Sequence, residues 1–368
     1  MRFAADESRV KVTGRTIFRD EIRYLGYTGT SISFRFTGRM AKAKLLSDAS
    51  THNSKDYAWV AVFVKEEKDG EVSYGAVTDG EPYRRFCLDN DKAEYVLYQA
   101  DLEKTVTVTL IKYSEAEYAA CGVEWIETDS QEILEPPMPK KLKIEMIGDS
   151  ITCGYGNEGN VDELEHDTAK ENPMKAYSLL TATHLDADVN VVAWNGKGVI
   201  TSYIGEGQPK VKDESWLVPM LYEYVDAGCE RDYLHTPVSK WEKWDNSRFV
   251  PDIITVYLGT NDASYTDNDG ARNQEFVDGY VKFLETIKRK NHGIPVLCML
   301  GTMDKKLCES VLKAVSIIEE KYQNADVYYL DLPPQDEADG LGINWHPTEA
   351  THRKVAKLVE KKIKEILS

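Results

Sequence analysis

The sequence predicts an α/β protein in two parts, an all-β sandwich followed by a parallel sheet covered on both faces by helices. Three observations carry this expectation. Residues 30–127 repeatedly alternate apolar and polar side chains, as in Ser31-Ile32-Ser33-Phe34-Arg35-Phe36, the pattern of strands with one buried face. Three prolines in four positions, Pro136, Pro137 and Pro139, then break any regular element. Beyond Lys141, apolar runs of strand length alternate with segments of helical period, which implies parallel strands joined by helical crossovers. The expected divisions are 1–134 for the sandwich, 135–140 for a proline-rich linker and 141–368 for the α/β part.

Within the first part, portions of 57–65, 94–99 and 105–112 also alternate, with polar or glycine-bearing turns between them. No helical pattern interrupts them, so a jelly-roll-like pair of sheets is expected. Such modules bind carbohydrate in some proteins and only support a neighbouring domain in others. In the second part, strands are expected at Leu142–Ile147, Asp188–Trp194, Asp252–Leu258, Ile294–Leu300 and Val327–Leu330. Helices are expected at Met174–Leu185, Glu275–Lys290, Lys306–Tyr322 and Thr348–Leu367. A long insertion, 201–250, contains Trp216, Trp241 and Trp244. Long loops of this kind are often functional, although each tryptophan taken singly is better explained as pinning the loop to the body.

The chain has 368 residues and a formal net charge of −17. That charge repels nucleic-acid backbones and anionic membrane surfaces and favours a neutral ligand. No apolar run approaches the roughly 20 residues that span a bilayer. The opening MRFAADESRVKV lacks the apolar core of a secretory leader, so a cytoplasmic location is expected, or a secreted one if a leader has been trimmed. The six cysteines are dispersed, without metal-ligand spacing, and reduced thiols are expected.

The chemistry gathers at one edge of the predicted sheet. The first strand of the α/β part ends in Gly148-Asp149-Ser150. Glycine lets the chain turn sharply and leave the Ser150 hydroxyl at the carboxyl edge, where open α/β sheets bind ligands. Helix capping by Asp149 and Ser150 is the plainer explanation of these three residues alone. Three further segments reach the same edge: Asn195-Gly196-Lys197-Gly198, Gly259-Thr260-Asn261-Asp262 and Asn344-Trp345-His346-Pro347. Together they supply what acyl transfer needs. His346 is suited to take the Ser150 proton near neutral pH. The Ser150 amide, the Gly198 amide and the Asn261 side chain are the candidate donors for the oxyanion of a tetrahedral intermediate.

This order of blocks resembles the SGNH (GDSL-like) hydrolase superfamily. Gly148-Asp149-Ser150-Ile151-Thr152 is similar to its first block, 191–198 to its second, Gly259-Thr260-Asn261-Asp262 to its third and Trp345-His346-Pro347 to its last. The resemblance implies the three-layer fold of that superfamily for 141–368. Counted from Val191-Val192, Gly198 rather than Gly196 falls at the family's oxyanion position. The first part adds Gly14-Arg15-Thr16 and the strand Phe34–Gly38, and the whole then resembles carbohydrate esterase family 2. That resemblance implies a serine esterase of the acetylxylan esterase type, removing O-acetyl groups from plant-cell-wall saccharides without metal or cofactor. Trp345 and the aromatic insertion would flank a sugar ring. Where most superfamily members carry an aspartate three residues before the histidine, this chain has Ile343. The resemblance therefore implies a Ser150–His346 dyad, steadied by a main-chain carbonyl or by Asn344, with Asp339 a less favoured third member.

The rival expectations are a lipase or thioesterase on the same scaffold and a non-catalytic carbohydrate-binding protein. A homo-oligomer is left open. His352 is expected on an exposed helix face, His166 in a solvated acidic loop and Cys153 in helix packing. Asp267-Asn268-Asp269-Gly270 is rejected as a calcium loop, because Tyr265 and Phe276 occupy positions that such a loop needs to be acidic. Neither a phosphate-binding loop nor a Gly-x-Ser-x-Gly elbow occurs.

Overall fold

The computed structural model describes the chain apart from positions 69, 164 and 324. Its first part is built of nine antiparallel strands: β1 (Arg2–Phe3), β2 (Lys11–Thr13), β3 (Thr16–Arg19), β4 (Ile22–Leu25), β5 (Ser31–Leu46), β6 (Trp59–Glu66), β7 (Arg84–Cys87), β8 (Lys92–Lys112) and β9 (Cys121–Thr128). Their main order is β3-β4-β9-β5-β8-β6-β7, with β1 on β9 and β2 on β5. The two layers of the sandwich are joined through the long pair β5 and β8, which stay hydrogen-bonded past register shifts at Gly38/Met40 and Ala41/Lys42. These shifts have a visible consequence. Ile32, Phe34 and Phe36 enter the core from even positions, whereas Ala41, Ala43 and Leu45 enter it from odd ones. An extra residue in one strand reverses which parity faces inward, so the bend keeps its apolar side on the core. Asp129 holds the bend by accepting from the Arg39 and Met40 amides, each at 3.0 Å.

The second part carries five parallel strands: β10 (Leu142–Gly148), β11 (Ala187–Ala193), β12 (Ile253–Tyr257), β13 (Val296–Leu300) and β14 (Val327–Asp331). They lie in the order β11-β10-β12-β13-β14. All seven residues of β11 and all five of β12 and of β13 are buried, as a sheet covered on both faces requires. The principal helices are α1 (Ser150–Cys153), α2 (Tyr177–His184), α3 (Val218–Leu221), α4 (Thr260–Thr266), α5 (Gly270–Lys290), α6 (Cys308–Lys321) and α7 (Glu349–Leu367). The strand order reverses at β10, and ligands of open α/β sheets bind at the carboxyl ends beside such a switch point. Gly148, the last residue of β10, pairs there with Ala193 and Tyr257.

The expected helix over 174–185 divides into a short 3₁₀ turn, Pro173–Lys175, and α2, because Ala176 adopts an extended conformation between them. The rejected calcium loop caps α5, Asp269 accepting from the Ala271 and Arg272 amides. Among the described residues no helix is long and apolar enough to cross a membrane.

The two parts share one apolar cluster, in which Tyr27, Phe63 and Tyr113 of the sandwich pack with residues of the parallel sheet and its helices. A buried ion pair also joins them. Arg15 lies 3.0 Å from Glu145 on β10, both side chains being nearly inaccessible. Tyr222 and Asn190 complete the carboxylate's partners, as an ion pair withdrawn from water requires.

Candidate active site

Gly148 ends β10 because nothing larger fits: a Cβ there would lie 1.9 Å from Thr152 Oγ1. Asp149 then caps α1, its Oδ1 accepting from the Ile151 amide at 3.1 Å. Its Oδ2 accepts from Asn261 Nδ2 at 3.2 Å. Complete burial pushes the Asp149 carboxyl up to about 7, since the charged form loses its water. Ser150 follows as the first residue of the one-turn helix. Its Oγ lies 2.8 Å from His346 Nε2, across 196 positions of sequence.

The His346 ring is set by its own loop. Nδ1 lies 3.0 Å from the Ile343 carbonyl. A carbonyl only accepts, so Nδ1 bears the proton and Nε2 is free to accept from the serine. The position that carries an aspartate in most SGNH sequences thus contributes its main-chain oxygen. Two successive residues with positive φ, Asn344 at 51° and Trp345 at 66°, fold that oxygen back under the ring. Asparagine tolerates this region, but tryptophan seldom enters it, and such strain tends to gather at functional sites. Burial lowers the His346 pKa to about 4, partly countered by the Ile343 and Asn344 main chain.

The candidate oxyanion donors differ in how far they are already engaged. Among the described residues neither the Ser150 nor the Gly198 amide has an acceptor within the protein. Asn261 Nδ2 also donates to the Lys197 carbonyl at 3.1 Å. Both its hydrogens are therefore engaged, and an incoming oxygen would share them. The loop after Gly198 is clamped by Asp262, whose carboxylate accepts from the amides of Val199, Ile200 and Thr201 at 2.8–3.2 Å. Burial raises Asp262 to about 6, and these amides pull it back down.

These elements open on a cavity of about 980 Å³ whose wall includes Ser150, His346, Asn261, Gly196, Tyr203 and Trp345. Trp345 is 61% and Tyr203 58% exposed, so two aromatic faces meet solvent at the wall. Gly198 is not among the lining residues, which include Asn195 and Gly196.

Several expectations need correction. The Asp339 carboxylate is bound by Lys354 Nζ at 2.6 and 2.8 Å, and the Asn344 amide group donates to the Tyr155 hydroxyl at 3.0 Å, so neither side chain supports the histidine ring. His352 is buried, its Nδ1 accepting from the Tyr177 amide, because it lies on the inward face of α7. His166 is not solvated but stacks between Tyr118 and Tyr155, at 4.2 and 4.5 Å. In the insertion, Trp216 stacks on Trp241 at 5.2 Å, and Trp241 and Trp244 are buried. They pin the loop, and the insertion's contribution to the cavity comes from 203–210. Among the described residues no cluster of three or more His, Cys, Asp or Glu is arranged to hold a metal ion.

Residues 144–359 match the family model of GDSL-like lipase/acylhydrolase, more than half of the chain. The protein belongs to that family. Residues 12–137 of this GDSL-like protein match the carbohydrate esterase 2 N-terminal model. It is 30% identical over 302 residues to the cellulase/esterase CelE of Acetivibrio thermocellus, a match that covers 81% of this chain but 34% of CelE. The chain therefore spans about a third of that relative's length. It is 24% identical over 372 residues to an acetylxylan esterase / glucomannan deacetylase of Cellvibrio japonicus, covering 99% of this chain and 90% of the other. Among solved structures it is similar to a family two carbohydrate esterase from Clostridium thermocellum in complex with cellohexaose. The TM-score there is 0.79 at 27% identity, covering 97% of this chain and 98% of that one.

Proposed function

We propose that this GDSL-like protein is a carboxylic ester hydrolase that removes O-acetyl groups from plant-cell-wall saccharides by a Ser150–His346 dyad. The contact of 2.8 Å between Ser150 Oγ and His346 Nε2, with Nδ1 turned to a carbonyl, carries this reading. His346 takes the hydroxyl proton as Ser150 Oγ bonds to the acetyl carbonyl carbon. The carbonyl oxygen becomes negative and meets the Ser150 and Gly198 amides and the shared Asn261 amide group. Collapse breaks the bond to the sugar oxygen, which leaves with the proton from His346. Water, deprotonated by the same imidazole, then repeats the attack on the acetyl-enzyme and frees acetate.

A saccharide fits the cavity because Trp345 and Tyr203 offer apolar faces to pyranose C–H groups, and because related proteins are named for acetylxylan and glucomannan deacetylation. A screen of acetylated xylo-, manno- and gluco-oligosaccharides should release acetate. On one chromogenic leaving group, acetyl should be hydrolysed at least about tenfold faster than octanoyl, since each extra methylene needs apolar burial. Octanoyl preference would favour the lipase or thioesterase reading.

The pH profile follows from the histidine. Only neutral imidazole accepts the proton, and His346 is held down to about 4. The kcat/KM of the free enzyme should therefore stay level as pH falls through 6.5, the ordinary histidine range, and drop only near pH 4. A limb near 6.5 in steady-state assays would show that another group, or a less buried histidine, sets the base.

A further inference from the structure

A dyad without an acid leaves the imidazolium formed during acyl transfer in need of a stabilising neighbour. Among the described residues no aspartate or glutamate is paired with His346; its ring nitrogens meet Ser150 Oγ and the main chain of the Ile343–Asn344 turn, the Ile343 carbonyl at 3.0 Å. What covers the ring is Tyr155, with centroids 4.4 Å apart and planes tilted by 40°. Tyr155 is held from three sides. Its amide donates to the Ser150 carbonyl at 3.1 Å, its hydroxyl accepts from Asn344 Nδ2 at 3.0 Å, and the next carbonyl, of Gly156, accepts from the Ile343 amide at 3.2 Å. Gly156 has φ of +57°, and a Cβ there would lie 2.6 Å from Ile343 Cβ, so the serine segment and the histidine loop are packed backbone to backbone at Tyr155.

We propose that the Tyr155 ring face takes over the charge-stabilising part of the missing acid's work, as a positioning residue that favours the His346 imidazolium by a cation–π contact. This rests on His346 acting as the base. The surrounding groups leave that contact undisturbed. Behind Tyr155 lies His166, which burial and the neighbouring His346 keep neutral, so no second cation competes for the ring; Glu171, 3.5 Å from His166 Nε2, and its neighbour Glu115 are buried carboxyls whose pKa values burial raises, and neither touches the imidazole. From α7, buried His352 faces Tyr177. At the head of α1, Asp149 is occupied by the Ile151 and Asn261 donors. On the cavity wall, Asp304 accepts from the Lys306 amide. None of them is hydrogen-bonded to the imidazole. A desolvated cation over an aromatic face gains enough to change a rate or an equilibrium by about tenfold.

The test replaces Tyr155 with phenylalanine, with phenylalanines carrying one to four ring fluorines, and with leucine. Fluorine drains the ring face while nearly preserving shape. Two quantities are read: the titration of His346 by its Cε1–H NMR resonance, and kcat and KM on a chromogenic acetate. Stabilisation of the cation raises the histidine pKa, so its loss must lower it. Tyr155→Phe should stay within about threefold of the parent in kcat. Progressive fluorination should lower the His346 pKa stepwise and reduce kcat by about tenfold in all, with KM within about twofold. Tyr155→Leu should match the most fluorinated ring. An unchanged titration across the fluorinated series, or Tyr155→Phe falling to the level of Tyr155→Leu, would overturn the proposal, the latter assigning the effect to the hydroxyl tether. The NMR titration decides the matter even if Ser150→Ala were to retain turnover, so failure of the dyad and failure of the cation–π contact are told apart.

Discussion

Ser150→Ala is expected to lower acetate release by about 10⁵-fold while the protein remains folded. In the proposed mechanism the hydroxyl is the atom that bonds to the acyl carbon, and no neighbouring side chain can replace it. Cys153, three residues on, is fully buried and its thiol is held well above its ordinary pKa, so it offers no thiolate. The substitution removes one oxygen and leaves the α1 cap on Asp149 intact. A melting temperature within a few degrees of the parent is therefore expected. If the proposed dyad acts as one unit, His346→Ala should cost about as much as Ser150→Ala, and the double variant little more than either. Steady-state acetate release and labelling by an organophosphonate measure this. Retained turnover, or labelling at another residue, would remove Ser150 from the mechanism.

Gly198→Ala should be the next most damaging substitution, by about 10³-fold in kcat. An added Cβ would lie 2.4 Å from the Thr201 carbonyl and 2.5 Å from Asp262 Oδ2, and both are fixed. Thr201 is fully buried, and the Asp262 carboxylate is clamped by three amides. The methyl therefore shifts the Gly198 backbone, and with it the amide proposed as an oxyanion donor, whereas the strands beneath have no reason to move. Gly196→Ala is the control. It has φ of +70° but meets nothing within 4 Å, so only backbone strain of about 1–2 kcal/mol opposes it, at most roughly thirtyfold if all of it appeared in the rate. Equal losses at the two positions would return the choice of donor to Gly196.

Much of this site could be read as letters. Ser150, Gly198, Asn261 and His346 each follow or precede a recognisable element at the sheet edge, and the structure brings Ser150, Asn261 and His346 to one cavity wall while leaving Gly198 off it. Parts of the rest have no letter at all. The acceptor for His346 Nδ1 is the main-chain oxygen of Ile343, and any residue carries one; what matters is the left-handed pair at Asn344 and Trp345. Tyr155 carries no motif of its own, and the role proposed for it depends on a histidine 191 positions away. His352 could have been placed from the sequence: its spacing from Val355, Ala356, Val359 and Ile363 puts it on the buried stripe of α7. In the insertion, the signal was diluted by tryptophans that stack on one another while Tyr203 faces the cavity.

The shared apolar cluster reaches further than stability. Arg85 of the sandwich donates to the carbonyls of Ala169 and Glu171, and Glu115 accepts from the Asn195 amide at 2.6 Å in the wall of the cavity. The front half therefore acts as a jig for loops that belong to the back half. Excising residues 1–134 would strip the mould from the reaction chamber, and exchange of this module among related chains is constrained by how well each copy grips its neighbour's loops.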